Sequence, residues 1–157
     1  EWVDRLNTAT ALSAADYMQL HADFGQFLGQ QAKRFMDENK LDYQVQLIGT
    51  HGHPALYSPS TKMIHRLGDG GAVASVTGVN VVSDLQTMDL ALGGNGSSLF
   101  KRAEQLLSTS DHIDFKEALA VALFALLRWR EENNMLMADT GAVRDSIGGA
   151  VWLGQEW

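Results

Sequence analysis

The segment that decides the fold covers residues 77–99, TGVNVVSDLQTMDLALGGNGSSL. Residues 79–82 are predicted to form a strand, and residues 93–96 form a glycine-rich loop. Between them Asp89 stands among apolar neighbours. A carboxylate that loses water is a better proton acceptor near neutral pH, and glycines beside it let a ligand approach bare backbone. The segment therefore predicts a strand that leads into a candidate catalytic loop.

Two aspartates in this segment also have structural interpretations. Asp89 could be a turn or capping residue ahead of the glycine loop, and its spacing alone does not decide between the two roles. Asp84 directly follows the predicted strand, and we expect it to cap a helix.

Length and composition predict one globular domain. The 157 residues, 45% hydrophobic and 20% charged, are expected to form a single compact domain over residues 1–157. The polar stretch at residues 108–112 is the best candidate for an internal junction. A net charge of -7 without a basic cluster argues against nucleic-acid and anionic membrane partners, and the lack of cysteine fits a cytoplasmic location.

Hydrophobic periodicity predicts short strands among several helices. A long helix with Ser13 as N-cap is predicted over residues 13–39, loosened near Gly25 and Gly29. Strands are predicted at residues 43–48, 63–67 and 79–82, and further helices at residues 72–77, 99–107, 114–131 and 146–153. Three strands mixed with four or five helices indicate an α/β or α+β domain.

The helix over residues 114–131 carries the strongest local signals. Asp114 as N-cap with Glu117 three residues later matches a capping box, a role that needs no ligand. One face of the helix is predicted to be apolar and consists of Phe115, Leu119, Ala122, Leu126 and Trp129. Val121, Leu123 and Phe124 extend the apolar surface round the helix, so its middle is expected to be buried on most sides.

Two further loops could bind ligands. His51 and His53 follow a predicted strand, and hydrogen bonding to a ligand or to neighbouring backbone is more plausible than metal binding, because no third ligand is evident. The glycine-rich residues 68–71 precede a helix and could bind an anion, whereas Asp69 as N-cap explains the same pattern without one.

Taken together, these segments resemble the anhydro-N-acetylmuramic acid kinase family. The resemblance rests on LIGTHGHP at residues 47–54, LGDGGAVASVTGVNVVSD at 67–84, MDLALGGNGSSL at 88–99, FKEALAVALFALLRWREENN at 115–134 and TGAVRDSIGGAVWLG at 140–154. It implies a partial actin-like fold, shared by sugar kinases, heat-shock chaperones and actin, with a small mixed sheet and several helices.

The resemblance also implies a reaction and a site. The family uses ATP and Mg²⁺ to phosphorylate 1,6-anhydro-N-acetylmuramate, an amino sugar of peptidoglycan recycling, while water opens the anhydro ring. Asp89 corresponds to the general base, and His51 and Glu117 to positions beside the sugar. Gly93, Gly94 and Asn95 are expected to line the same site.

The sequence departs from the family pattern on the nucleotide side. The Met-Ser-Gly-Thr-Ser-x-Asp-Gly phosphate loop and the central motifs of the family do not occur in these residues, and Gln86 and Asn95 stand where the family usually has Arg and Gln. Two hypotheses follow: a kinase with Asp89 as base, or a non-catalytic domain that binds an amino sugar or acts as a packing module. For either, apolar surface left by the absent segments predicts a homodimer.

Overall fold

The computed structural model describes residues 1–96 and 115–154. Its central sheet has three strands in the order β1–β4–β5. Strand β1 (Leu47–Gly49) is parallel to β4 (Asn80–Ser83), and β4 is antiparallel to β5 (Ala150–Trp152). Strands β2 (His53–Ser58) and β3 (Met63–Leu67) form a separate antiparallel hairpin. The small mixed sheet confirms the predicted α/β class.

Helices cover both faces of the central sheet. Helix α3 (Gly70–Thr77) packs Val73 and Ala74 against Val81 on one face. Helix α5 (Lys116–Trp129) packs on the other face, where its buried side chains meet Val82. Adjacent residues of β4 thus point to opposite layers, as strand geometry requires.

Helix α2 (Ala14–Glu38) forms a further layer outside α3. The predicted N-cap is confirmed, because the Ser13 hydroxyl accepts a hydrogen bond from the backbone N–H of Asp16. The predicted loosening at two glycines is wrong, since the helix continues through both. A Cβ at Gly25 would lie 2.5 Å from the carbonyl oxygen of Asp69, and one at Gly29 would lie 2.9 Å from Cβ of Val76. These glycines let two helices approach closely.

The remaining helices are short. Helix α1 (Trp2–Asn7) packs the Trp2 ring against aromatic side chains of α2. Helix α4 (Thr87–Ala91) follows β4, and α6 (Met137–Thr140) follows α5.

The structure corrects three further sequence predictions. The strand predicted at residues 43–48 is formed only at its end, because Tyr43 has a φ of 61° and an exposed side chain. The helix predicted at residues 146–153 contains β5 instead, because this segment pairs with β4 after Gly149, whose φ is 118°.

The third correction concerns the apolar face of α5. Four of the large residues predicted to be buried are 39–68% exposed: Phe115, Leu119, Leu126 and Trp129. The side chains that face the sheet are Ala120, Val121, Phe124 and Ala125. The helix is apolar on two opposite sides, so periodicity could not indicate which side meets the sheet.

Some predictions fall outside the described residues, namely the helix at 99–107, the junction at 108–112 and the cap at Asp114. In residues 1–96 and 115–154, no helix has both the length and the apolar character needed to cross a membrane.

Candidate functional site

The carboxylate of Asp89 lies in the interior of the protein. Helix α4 begins four residues after β4 ends, and Asp89 is its third residue, next to the buried Leu90. The Asp89 side chain is only 1% exposed. A carboxylate with so little solvent contact depends on protein hydrogen bonds to hold its charge.

The glycine-rich loop after α4 folds back over this carboxylate. The backbone N–H of Gly96 donates a hydrogen bond of 2.9 Å to Oδ2 of Asp89. A Cβ at Gly94 would lie only 2.2 Å from the same oxygen, so this position has room for glycine alone. Oδ1 of Asp89 is buried and accepts no hydrogen bond from the described residues. One carboxylate oxygen is therefore held, and the other is a buried acceptor without a partner in the described part of the chain.

Three other parts of the molecule hold the loop in place. The hydroxyl of Tyr57, on the β2–β3 hairpin, donates to the carbonyl oxygen of Asn95 at 2.7 Å. The backbone N–H of Asn95 donates to the carbonyl oxygen of Thr140 at 3.0 Å. The side-chain amide of Gln86 donates to the carbonyl oxygen of Gly96. The hairpin, α6 and the start of α4 thus position the loop.

His51 lies in the loop that follows β1, beside the loop that follows β4. The two strands are parallel neighbours, so both loops leave the same edge of the sheet. Burial, and to a smaller degree the positive charge of Arg66, lower the pKa of His51 to about 4. His51 is therefore neutral at physiological pH. Its Nδ1 is buried and has no partner among the described residues.

Arg66 connects the His51 loop to Glu117. Its guanidinium donates to the backbone carbonyl oxygens of His51 and Gly52. Burial lowers the pKa of Arg66, while the negative charge of Glu117 acts in the opposite direction. The charges of these two side chains therefore interact.

Two cavities adjoin these loops. The first, about 360 Å³, lies between the hairpin and the glycine loop. Its lining comprises Pro54, Leu56, Tyr57, Ile64, Arg66, Gln86, Asn95 and Gly96. The second, about 300 Å³, includes His51 and also borders Arg66. A larger cavity of about 500 Å³, at the β1 edge between α2 and α5, contains none of the predicted site residues.

The predicted site residues do not share one cavity, and Asp89 lines neither of these two. Asn95 lines the first cavity and His51 the second. Gly94 contacts Asp89, whereas a Cβ at Gly93 would meet nothing within 4 Å. Glu117 is exposed and lines neither cavity, and its negative charge acts on Arg66 in the direction of a higher pKa.

Of the helix-capping roles predicted for Asp69, Asp84 and Glu117, the structure confirms the one at Asp69. Asp69 is the N-cap of α3, and its carboxylate accepts hydrogen bonds from the backbone N–H groups of Gly71 and Ala72. The prediction that Asp84 caps a helix is wrong for α4, because Gln86 occupies the N-cap position. The Asp84 carboxylate instead accepts a hydrogen bond from the hydroxyl of Thr87. The capping box at Glu117 is wrong, because α5 begins at Lys116 and so places Glu117 second in the helix.

Sequence analysis missed Arg66 and Tyr57. Both lie on the hairpin, whose register pairs Pro54 with Arg66 and includes a bulge after Pro54. Neither residue belongs to a motif, and only the hairpin register places them near Asp89 and His51. The described part of the chain holds no group of three or more His, Asp or Glu side chains arranged for a metal ion.

Comparison with known proteins agrees with the sequence resemblance. The family model for anhydro-N-acetylmuramic acid kinase matches residues 3–112. A kinase of this name from Paramagnetospirillum magneticum is 35% identical over 82 residues, which cover 52% of this chain and 23% of the relative. The corresponding protein of Zymomonas mobilis is 30% identical over 122 residues, which cover 75% of this chain and 33% of the relative. The chain thus spans about a quarter to a third of the length of these curated relatives. On the strength of the family match, the chain belongs to the anhydro-N-acetylmuramic acid kinase family.

Proposed function

We propose that this chain provides the sugar-binding and water-activating part of a 1,6-anhydro-N-acetylmuramate kinase. The single observation that carries the proposal is the state of Asp89, which is buried, held through Oδ2 and without a partner among the described residues at Oδ1. This arrangement suits a general base, because the acceptor is desolvated and fixed in direction.

The proposed chemistry for Asp89 is one proton transfer. A water molecule attacks the anomeric carbon of the anhydro sugar, a new C–O bond forms there, and the bond from that carbon to O6 breaks. Oδ1 of Asp89 accepts the proton that the water loses, and O6 leaves with the electron pair of the broken bond. In the complete kinase that electron pair would form the bond to the transferred phosphoryl group, a step that is not assigned to these residues. Fixing the base in place can supply a large part of the rate, since a misplaced base reacts far more slowly.

The cavity of about 360 Å³ is the proposed position of the sugar. Its lining combines apolar residues such as Leu56 and Ile64 with the polar residues Arg66, Asn95 and Tyr57. A pocket with apolar walls and a few placed polar groups is typical of small-molecule sites. It matches a sugar, which presents apolar C–H faces and a rim of hydroxyl groups.

ATP and Mg²⁺ are implied by the family, but the described residues do not fit them. The N-terminus of α3, the natural place for a phosphate, is already occupied by the carboxylate of Asp69. The Arg66 guanidinium is directed to the backbone carbonyl groups of His51 and Gly52 and so does not point to a phosphate. We therefore assign only the sugar-side steps to these residues.

Calorimetric titration with 1,6-anhydro-N-acetylmuramate tests the proposal. We expect the chain to bind the sugar and Asp89→Asn to retain this binding. If the unmodified chain opens the ring in the presence of Mg-ATP, Asp89→Asn should lower that rate by about 100-fold or more. Asp37→Asn makes the same change on the exposed surface of α2 and is expected to match the unmodified chain. Failure of the sugar to bind, or wild-type ring opening by Asp89→Asn, would refute the proposal.

A second candidate is a packing module, which the exposed apolar face of α5 favours. Phe115, Leu119, Leu126 and Trp129 form one stripe, and such a surface is usually covered by protein. The occupant proposed here is a second copy, which would give a homodimer. Sedimentation should then show a dimer that Leu126→Glu dissociates; a monomeric unmodified chain would exclude this candidate.

A further inference from the structure

The loop after α4 contains the one Asn-Gly pair in the sequence, Asn95 and Gly96. Asparagine is among the thermally labile residues, because the backbone nitrogen that follows it can attack its side-chain amide carbon. Glycine in the next position favours this attack, since it has no Cβ to hinder the approach. The pair is therefore a candidate site of spontaneous deamidation.

Deamidation would join the backbone nitrogen of Gly96 to Cγ of Asn95. The new C–N bond closes a succinimide ring, the bond from Cγ to Nδ2 breaks, and Nδ2 leaves as ammonia with the proton that the Gly96 nitrogen loses. Water then opens the ring at one of its two carbonyl carbons, which gives aspartate or isoaspartate. Water is the only co-reactant, so the rate depends on whether the Gly96 nitrogen can reach Cγ.

The structure holds this peptide group at both ends. The hydroxyl of Tyr57 donates to the carbonyl oxygen of Asn95 at 2.7 Å, and the Gly96 N–H donates to Oδ2 of Asp89 at 2.9 Å. The N–H of Asn95 is also bound, to the carbonyl oxygen of Thr140 at 3.0 Å. Asn95 is exposed to solvent, but the peptide groups before and after its Cα are both fixed.

We propose that Asn95 is a deamidation site that these hydrogen bonds suppress and that reacts when the loop opens. To attack Cγ, the Gly96 nitrogen must lose its proton and turn away from Asp89, which breaks the bond to Oδ2. The carboxylate opposes the step a second time, because a deprotonated amide beside it would place two negative charges together. Local opening of the loop removes both obstacles. The inference does not depend on the reaction proposed above.

The modification would alter the cavity of about 360 Å³ that Asn95 lines. An amide, which donates and accepts hydrogen bonds, would become a carboxylate, which only accepts them. The isoaspartate product also adds a methylene group to the backbone before Gly96, so the bonds to Tyr57 and Asp89 would no longer match their present spacing. A loop that has opened and reacted is thus permanently changed.

Peptide mapping by mass spectrometry tests the inference, because exchange of NH₂ for OH raises the mass of the peptide that contains Asn95. At neutral pH we expect the folded chain to deamidate there at least about 30-fold more slowly than the same chain unfolded in guanidinium chloride. Tyr57→Phe removes only the hydroxyl group. Its folded form should deamidate about 2- to 10-fold faster than the unmodified chain, which corresponds to the loss of one hydrogen bond.

The matched control is Tyr17→Phe, because the Tyr17 hydroxyl forms a hydrogen bond of 2.9 Å with Nδ1 of His65, between α2 and β3. It should leave the rate at Asn95 unchanged. Equal rates in the folded and unfolded chain, or equal effects of Tyr57→Phe and Tyr17→Phe, would overturn the inference. Slow deamidation of the folded chain that Tyr57→Phe alone accelerates would support it, whether or not the chain binds sugar.

Discussion

Replacing Gly94 by alanine tests the proposed arrangement of the loop and the base. The added Cβ would lie 2.2 Å from Oδ2 of Asp89 and 2.5 Å from both Cγ and Oδ1. A real Cβ does not lie closer than 3.0 Å to another heavy atom. The carboxylate or the loop must therefore shift until the distance between the new Cβ and Oδ2 has grown from 2.2 Å to at least 3.0 Å. The carboxylate is almost completely buried and cannot swing into solvent without breaking its bond to Gly96.

The expected cost of Gly94→Ala combines two effects. Forcing a methyl group into a filled site costs about 1–3 kcal/mol, and losing the Gly96 hydrogen bond to a charged acceptor costs about 1.5–3 kcal/mol. The two costs do not add in full, because a shift that moves the carboxylate away from the new methyl group also breaks the Gly96 hydrogen bond. We therefore expect the free energy of unfolding to fall by about 2–4 kcal/mol in total. For a chain of this size that corresponds to a fall in Tm of roughly 4–16 °C.

Thermal and urea unfolding measure this cost, and two comparisons isolate its origin. Gly93→Ala meets nothing within 4 Å but places alanine at a φ of 85°, so it should cost only the backbone strain of about 1–2 kcal/mol. In an Asp89→Ala background the carboxylate is gone, and Gly94→Ala should become nearly neutral. If Gly94→Ala costs the same in both backgrounds, its methyl group does not meet the carboxylate and the described packing is wrong.

Three further predictions concern the surrounding structure. Burial lowers the pKa of His51 from 6.5 to about 4, so its contribution to stability is complete above pH 6.5 and is lost as the pH falls toward 4. After allowance for the partial exposure of His51, the free energy of unfolding is expected to fall by about 2 kcal/mol over this pH range. In urea unfolding at pH 7 and pH 4.5, His51→Gln should lose less stability on acidification than the unmodified chain, and an equal loss would contradict this. Asn134 is fully buried and exchanges hydrogen bonds with Gly148, so Asn134→Ala should lower the free energy of unfolding by about 2–4 kcal/mol, and a value below 1 kcal/mol would contradict this role. Gly25→Ala should cost about 1–3 kcal/mol because its Cβ meets backbone atoms of Asp69, and unchanged thermal unfolding would show that α2 and α3 are not packed so closely.

The parts of the fold that depend on local chemistry could be predicted from the sequence. The predicted strand at residues 63–67 matches β3, and the caps at Ser13 and Asp69 are formed as local spacing indicates. Asp89 was singled out because apolar neighbours predicted its loss of water, and the structure buries it. In each case the signal and its partner lie within a few residues of each other.

Features that depend on distant pairing could not be predicted in this way. Strand β5 forms because Val151 lies opposite Val82, a partner far away in sequence that periodicity does not reveal. The contact of Arg66 with the His51 loop likewise depends on the register of a bulged hairpin. On α5, two apolar sides compete, and only the position of the sheet decides that Phe124 is buried and Phe115 is not.

Helix α4 is too short to fix the orientation of the Asp89 side chain by itself. A helix of five residues has few internal hydrogen bonds and little stability of its own. It could not hold a buried charge in a fixed direction unless other elements did so. The loop that follows it supplies this constraint, because residues 93–96 are tied to the hairpin through Tyr57 and to α6 through Thr140. The orientation of the proposed base is thus set by elements that are distant in sequence, and loosening either tie should disturb Asp89 without any change to α4 itself.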